Sequence, residues 1–182
     1  MPRSRRFIAI VSSFGLALAF AGTGLAGGAS HAAGTFVNAN GDPIGWVRLV
    51  EDATGVVHVS VHVEDVAPGL HGIHIHSIAA CSPTFAAAGG HYNPSGNEHG
   101  LDNPNGPHAG DLPNLMVNDA GVGHLDTTTD RVTLSDGPTT LFDATAGAVG
   151  SSFIIHANPD NQSTNADLGG SGARIACAVI EP

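Results

Sequence analysis

The sequence predicts an all-β domain, an antiparallel sandwich or flattened barrel of eight short strands with two long functional loops. Three observations lead there. Apolar residues alternate with polar ones instead of recurring at helical spacing. Twenty-five Gly and 11 Pro punctuate the 182 residues. Turn-forming runs such as Asn40-Gly41-Asp42-Pro43, Ala67-Pro68-Gly69 and Asn118-Asp119-Ala120-Gly121 separate the alternating stretches.

Residues 1–32 stand outside this pattern. Arg3, Arg5 and Arg6 precede an apolar run from Phe7 to Ala21, and Ser30 and Ala32 supply small side chains for cleavage. This is the layout of a secretory signal, and the run is short and Gly/Ala-rich for a membrane span. The expectation is a signal over 1–32, a single domain over 33–182 and a secreted or periplasmic location without a stable membrane anchor. Arg5-Arg6 leaves open whether export is general or twin-arginine.

The strands are expected in this order. Phe36–Asn38 is a first short run, and Pro43–Val50 alternates through Ile44, Trp46 and Arg48. Val57, Val59, Val61 and Val63 interleave with His58, Ser60 and His62, a half-buried strand. His71–Ser77, Asn114–Val117, Val122–Thr128, Ser152–Ala157 and Ala173–Ile180 complete the eight. The two segments without strand character are 79–113 and 158–172, rich in Gly, Asn, Asp and Pro. Structureless loops of this length are uncommon and are usually functional.

Charge narrows the partners. The signal carries three of the six basic residues and none of the 16 acidic ones, and the chain has no Lys. Arg48, Arg131 and Arg174 are the only cations of the mature domain besides histidine. Nucleic acid is excluded as a partner, because a phosphate backbone needs a basic face. Two cysteines, Cys81 and Cys177, read as a disulfide in an exported protein. Closing a loop of about 100 residues would remove roughly 4–5 kcal/mol of unfolded-state entropy.

The eleven histidines point to metal. In the stretch GLHGIHIHS, His74 and His76 are at i and i+2, so they share a strand face about 6.5–7 Å apart and can hold one ion. His71 has the parity of Ile73 and Ile75 and reads as a buried, hydrogen-bonded structural histidine. The first long loop adds His91, His99, His108 and Asp111, and His156 opens the second. Imidazoles suit copper and zinc, and three His with one carboxylate suit tetrahedral zinc. His58, His62 and His124 read as solvent-facing strand residues, with His58 and His62 about 13 Å apart along one strand. His31 is assigned to the signal.

Five stretches carry a family resemblance: GLHGIHIHS, GGHYNPSGNEHG, GPHAGDLPN, IIHANPD and GGSGARIACAVIEP. In order and internal spacing they are similar to the copper-zinc superoxide dismutases, from about Gly34 to Pro182. The resemblance implies the eight-stranded antiparallel Greek-key fold and dismutation of superoxide to oxygen and hydrogen peroxide. It implies copper ligands His74, His76, His91 and His156, cycling Cu(II)/Cu(I). It implies structural zinc ligands His91, His99, His108 and Asp111, so that His91 bridges the two ions. Asp160 corresponds to a carboxylate linking a copper His to a zinc His, Arg174 to the arginine that meets the anionic substrate, and Cys81–Cys177 to the fold's disulfide. Monomer and homodimer both remain open.

An alternative from another class is a non-catalytic extracytoplasmic protein that binds or delivers copper or zinc. Such a protein is expected to lose a copper His or the Arg, and both are retained here. A copper-only enzyme would lack the zinc ligands, and a purely structural module leaves the order of coordinating side chains unexplained.

Overall fold

The computed structural model describes residues 31–142, 150–163 and 169–182. Residues 1–30 of the expected signal lie outside the described residues, as do 164–168 of the second loop. Among the described residues nine strands form: β1 (His31–Asn38), β2 (Pro43–Glu51), β3 (Val57–Val63), β4 (Gly69–His71), β5 (Ile73–His76), β6 (Leu115–Val117), β7 (Gly123–Thr129), β8 (Ser152–His156) and β9 (Arg174–Val179). All neighbouring pairs are antiparallel. Their lateral order is β4-β6-β7-β3-β2-β1-β9-β8-β5.

That order explains why nine strands stand where eight were expected. His71–Ser77 splits at Gly72 into two strands that occupy opposite ends of the sheet order. β4 pairs with β6, and β5 pairs with β8. One continuous piece of chain therefore joins the sheet's two ends and nearly closes it into a barrel, leaving little free edge. Gly72 is required by close approach. A Cβ there would meet Ser171 Oγ at 2.6 Å, while its N–H donates to Asn158 O and its C=O accepts from the His156 N–H, both at 2.8 Å.

β1 also starts earlier than Phe36. His31 and Ala32 pair with Val50 and Leu49, and Ala32 is buried. Cleavage after Ala32 would take two paired residues from this strand. The weak apolar character of His-Ala-Ala-Gly-Thr hid it from a reading based on alternation.

The alternating valines of β3 do what the pattern dictates: Val57, Val59, Val61 and Val63 are buried and His58 is exposed. They join Phe36, Leu49, Ile73, Ile75, Leu115 and Phe153 in one interior core. A smaller cluster of Ala88, Ile154 and Cys177 packs under the first long loop, where Phe85–Ala88 makes a single 3-10 turn. Cys81 and Cys177 are disulfide-bonded across 96 residues, so the loop is tied to β9. No helix among the described residues is long and apolar enough to cross a membrane.

Candidate metal centre

The site is built on β5 and on the chain that folds back against it. Both faces of β5 are buried. Ile73 and Ile75 enter the core, while His74 and His76 point the other way. The first long loop returns along the free edge of β5: the Ile75 N–H donates to Gly110 O at 2.9 Å and the Tyr92 N–H to Ile75 O at 2.8 Å. This bridging places His91 beside His76 and Asp111 beside His74. β8 delivers His156, and its register partner on β9 is Arg174. Residues 82 positions apart in the sequence thus converge on one buried locus.

Two groups of four form there. His74, His76, His91 and His156 make one, and His91, His99, His108 and Asp111 make the other. In each, one donor atom per residue lies within 4.8 Å of the others. All seven residues are buried.

Hydrogen bonds decide which ring nitrogen faces inward. His74 Nε2–H donates to Asp160 Oδ2 at 2.6 Å, His76 Nδ1–H to Gly89 O at 3.0 Å and His156 Nδ1–H to Gly172 O at 3.1 Å. The opposite nitrogens, His74 Nδ1, His76 Nε2 and His156 Nε2, are buried without a hydrogen-bond partner, and so is His91 Nε2. A buried acceptor without a partner normally costs on the order of 1–3 kcal/mol. Four such lone pairs meeting at one point fit a cation that prefers imidazole.

The second group is held by Asp111. Its Oδ1 lies 2.9 Å from His91 Nδ1, 3.1 Å from His99 Nδ1 and 3.3 Å from His108 Nδ1. Ligands about 2.0–2.1 Å from a tetrahedral ion stand roughly 3.3 Å apart, so the four atoms already approximate that polyhedron. Asp111 Oδ2 accepts the N–H groups of Gly100 at 2.8 Å and His108 at 3.0 Å, which aims Oδ1 inward.

Asp160 joins the two groups. It accepts from His74 on one side and from His99 Nε2 at 3.0 Å on the other. Asn114 clamps it in turn: its side chain donates to Asp160 O and accepts the Asp160 N–H, both at 2.8 Å. Gly169, at φ +75°, packs so close that a Cβ would collide with the Asp160 carboxylate.

Electrostatics sorts the protons. Burial pushes His74 down to about 3, against its hydrogen bond to Asp160, and pushes His76 to about 2 and His156 to about 4. The Arg174 charge adds to the shifts of His76 and His156. Burial also lowers His91. These rings are neutral at physiological pH, the form that binds metal. His99 goes the other way: burial alone would lower it, but hydrogen bonds to Asp111 and Asp160 raise it to about 9. Burial would raise Asp111, yet its bonds to His108, His91 and His99 hold the carboxyl far below the usual carboxylate range. Asp160 is lowered for the same reason, through His74 and His99.

Arg174 flanks the first group. Its guanidinium donates through Nη1 to Phe85 O and through Nη2 to Gly89 O, both at 2.6 Å. Gly89 O therefore holds both Arg174 and His76.

Every sequence-predicted site residue is thus gathered at this locus or, for Cys81 and Cys177, in the bond behind it. His71 is buried with both ring nitrogens against carbonyls, Nδ1 to His156 O at 2.7 Å and Nε2 to Ala67 O at 2.8 Å. Sequence reasoning missed Asn114, the Gly89 carbonyl and Arg131, whose guanidinium Nη2 donates to Asp111 O at 2.6 Å. The available signal for Arg131 was its scarcity, as one of three arginines in a Lys-free acidic domain.

Comparison with known proteins adds an independent finding. Residues 44–180 match the family model described as copper/zinc superoxide dismutase. A copper-zinc superoxide dismutase of Aquifex aeolicus is 38% identical over 147 residues, 79% of this chain and 82% of that protein. Among solved structures, a superoxide dismutase-like protein from Bacillus subtilis is 34% identical with a TM-score of 0.73, covering 83% of this chain and 97% of the other. The copper/zinc superoxide dismutase from Brucella abortus is 31% identical with a TM-score of 0.67, covering 83% and 99%. A sheet joined end to end at Gly72, two histidine groups in its wall and this match over most of the length lead to one conclusion: the chain belongs to the copper/zinc superoxide dismutase family, with superoxide as its substrate and copper and zinc as its cofactors.

Proposed function

We propose that His74, His76, His91 and His156 hold the copper of this dismutase, that His91, His99, His108 and Asp111 hold its zinc, and that His91 is shared. The observation that carries this is the set of four partnerless buried nitrogens, each with its opposite ring nitrogen engaged. When bound, copper supplies a one-electron Cu(II)/Cu(I) couple and zinc a redox-inert positive charge.

The chain's own residues do the rest. Asp160 fixes the tautomer of His74 and the ring of His99, so the two groups keep one geometry. Arg174 receives superoxide: arginine stays charged, and its fork hydrogen-bonds a small oxyanion. Its two carbonyl anchors hold it where its charge acts on His76 and His156, so the local field attracts an anion although the net charge is −10. His91 moves a proton. Its Nδ1 stays beside Asp111 in the group that would hold zinc, and its Nε2, the atom facing the group that would hold copper, would take up and give back a proton where the reduced substrate needs one. Residues 1–32 act as a secretory signal for the domain over 33–182. The Cys81–Cys177 disulfide supports an extracytoplasmic, secreted or periplasmic location.

Superoxide consumption by the metal-loaded protein, its metal-free form and Arg174→Ala tests the reading. We expect metal-dependent activity that slows with salt. Arg174→Ala should fall about tenfold or more at low salt, with a flatter salt response and unchanged copper content. An unchanged rate would reject the role of Arg174.

A further inference from the structure

The outer face of the barrel carries a second group of histidines, remote in function from the buried centre. Register sets a row across four strands: Trp46 on β2 stands opposite His62 on β3, His62 opposite His124 on β7, and His124 opposite Met116 on β6. His124 and Met116 are exposed and His62 is partly so. Directly opposite residues on one face have Cβ atoms about 4.5–5.5 Å apart.

Two features distinguish this pair from ordinary surface histidines. His62 Nδ1 and His124 Nδ1 face one another at 3.3 Å, with the rings tilted by 37°. The other nitrogen of His62, Nε2, lies 3.2 Å from Glu64 Oε1. A carboxylate accepts but does not donate, so Glu64 takes the Nε2–H and leaves the lone pair of His62 on Nδ1. A carboxylate behind an imidazole is also the arrangement that orients and strengthens a metal-binding histidine. The 3.3 Å separation is close to the roughly 2.8–3.3 Å between adjacent ligand atoms about an ion with roughly 2.0 Å bonds to nitrogen, from square-planar to tetrahedral geometry. His58 provides a contrast on the same strand: it pairs with Asp52 at 3.0 Å, with no second imidazole against it.

We propose that His62 and His124 form an outer-face site for one divalent late first-row cation, bound through both Nδ1 atoms and completed by water. Copper(II) is preferred over zinc by the usual order of imidazole affinity. In the metal-free state His124 Nδ1–H donates to His62 Nδ1. On binding, that proton moves to solvent or to His124 Nε2, and both lone pairs turn to the ion. The strand pairing that positions the two rings does not change. Met116 brings a thioether to the far side of His124, away from Trp46.

Trp46 provides a built-in reporter. It is the chain's only tryptophan, and its ring centroid is 5.7 Å from that of His62. The experiment starts from protein with both buried sites filled and excess metal removed. Copper(II) is then titrated while Trp46 emission and bound copper are followed. The expected result is one further copper per chain, with quenching that saturates at one added equivalent. His124→Gln and His62→Gln should weaken this binding at least tenfold and abolish the quenching at one equivalent. Glu64→Gln should weaken it about tenfold through the lost anchor. His58→Gln should bind as the unaltered protein does. The superoxide rate of each variant, unchanged, shows that the fold and buried centre are intact. No further copper bound, or equal quenching in His124→Gln and the unaltered protein, would overturn the proposal.

Discussion

At the scale of single residues, the centre is a problem in assigning protons. His74, His76 and His156 are driven neutral by burial, so their lone pairs are ready for metal at neutral pH. His99 is not. Without metal it is an imidazolium between two carboxylates, raised to about 9. Zinc held as proposed must displace its Nδ1 proton. We therefore expect zinc uptake by the metal-free protein to release about one proton at pH 7, and zinc affinity to rise about tenfold per pH unit from 6 to 8, levelling above about 9. Calorimetry in buffers of different ionisation enthalpy measures this directly. Proton-independent zinc uptake would contradict the assignment of His99. The residues of the two groups were legible in the sequence because their types and spacing point to metal chemistry. Asn114 and the Gly89 carbonyl were not. Asn114 meets Asp160 across 46 residues, and a carbonyl carries no side-chain signature.

Elements show a different division between what could and could not be read. Alternation revealed β3 and β7, since each has one face in the core and one in water. It could not show that His71–Ser77 is two strands, because β5 is buried on both faces and the break depends on Ser171 packing against Gly72. Long-range anchoring of loops was equally hidden. Glu51 at the end of β2 accepts the Leu134 N–H at 2.8 Å, the Ser135 N–H at 2.7 Å and the Ser135 hydroxyl at 2.7 Å. Burial would raise this carboxyl, but the Ser135 and Leu134 bonds outweigh it and lower it from its ordinary 4.5. A depressed carboxyl stabilises the fold above its unfolded value and loses that contribution as pH falls through the folded one. Glu51→Gln should cost about 1 kcal/mol at pH 7, after allowance for solvent exposure. Thermal unfolding from pH 7 to pH 3 should show the gap between variant and parent closing below about 4.5. A gap that is constant with pH would contradict the carboxylate's role.

For the whole molecule, closure and stapling place the chemistry. β4 and β5 tie the two ends of the sheet order together, and the disulfide ties the first long loop to β9. That loop supplies both carbonyls that hold Arg174. Stability and the placing of Arg174 therefore depend on the same bond. Cys177→Ser should lower stability by about 4 kcal/mol, a fall in Tm on the order of 10 °C. It should also slow superoxide consumption at temperatures where the variant remains folded, as Arg174 loses its anchors. A drop of only a degree or two with unchanged activity would separate the bond from both roles. The fold class and the pairing of Cys81 with Cys177 were readable from composition, turn chemistry and family likeness. The closure at Gly72 was not, since it exists only once β4 and β5 have found different partners.

The central claim is that His91 belongs to both groups at once, Nδ1 to one and Nε2 to the other. Its most direct test fills both buried groups with copper(II) and records the electron paramagnetic resonance spectrum. A single shared imidazolate makes the two spins couple, so we expect the separate copper signals to be lost and His91→Ala to restore uncoupled ones. Two independent copper signals from the fully loaded, unaltered protein would contradict the shared ligand and the proton-carrying role given to His91.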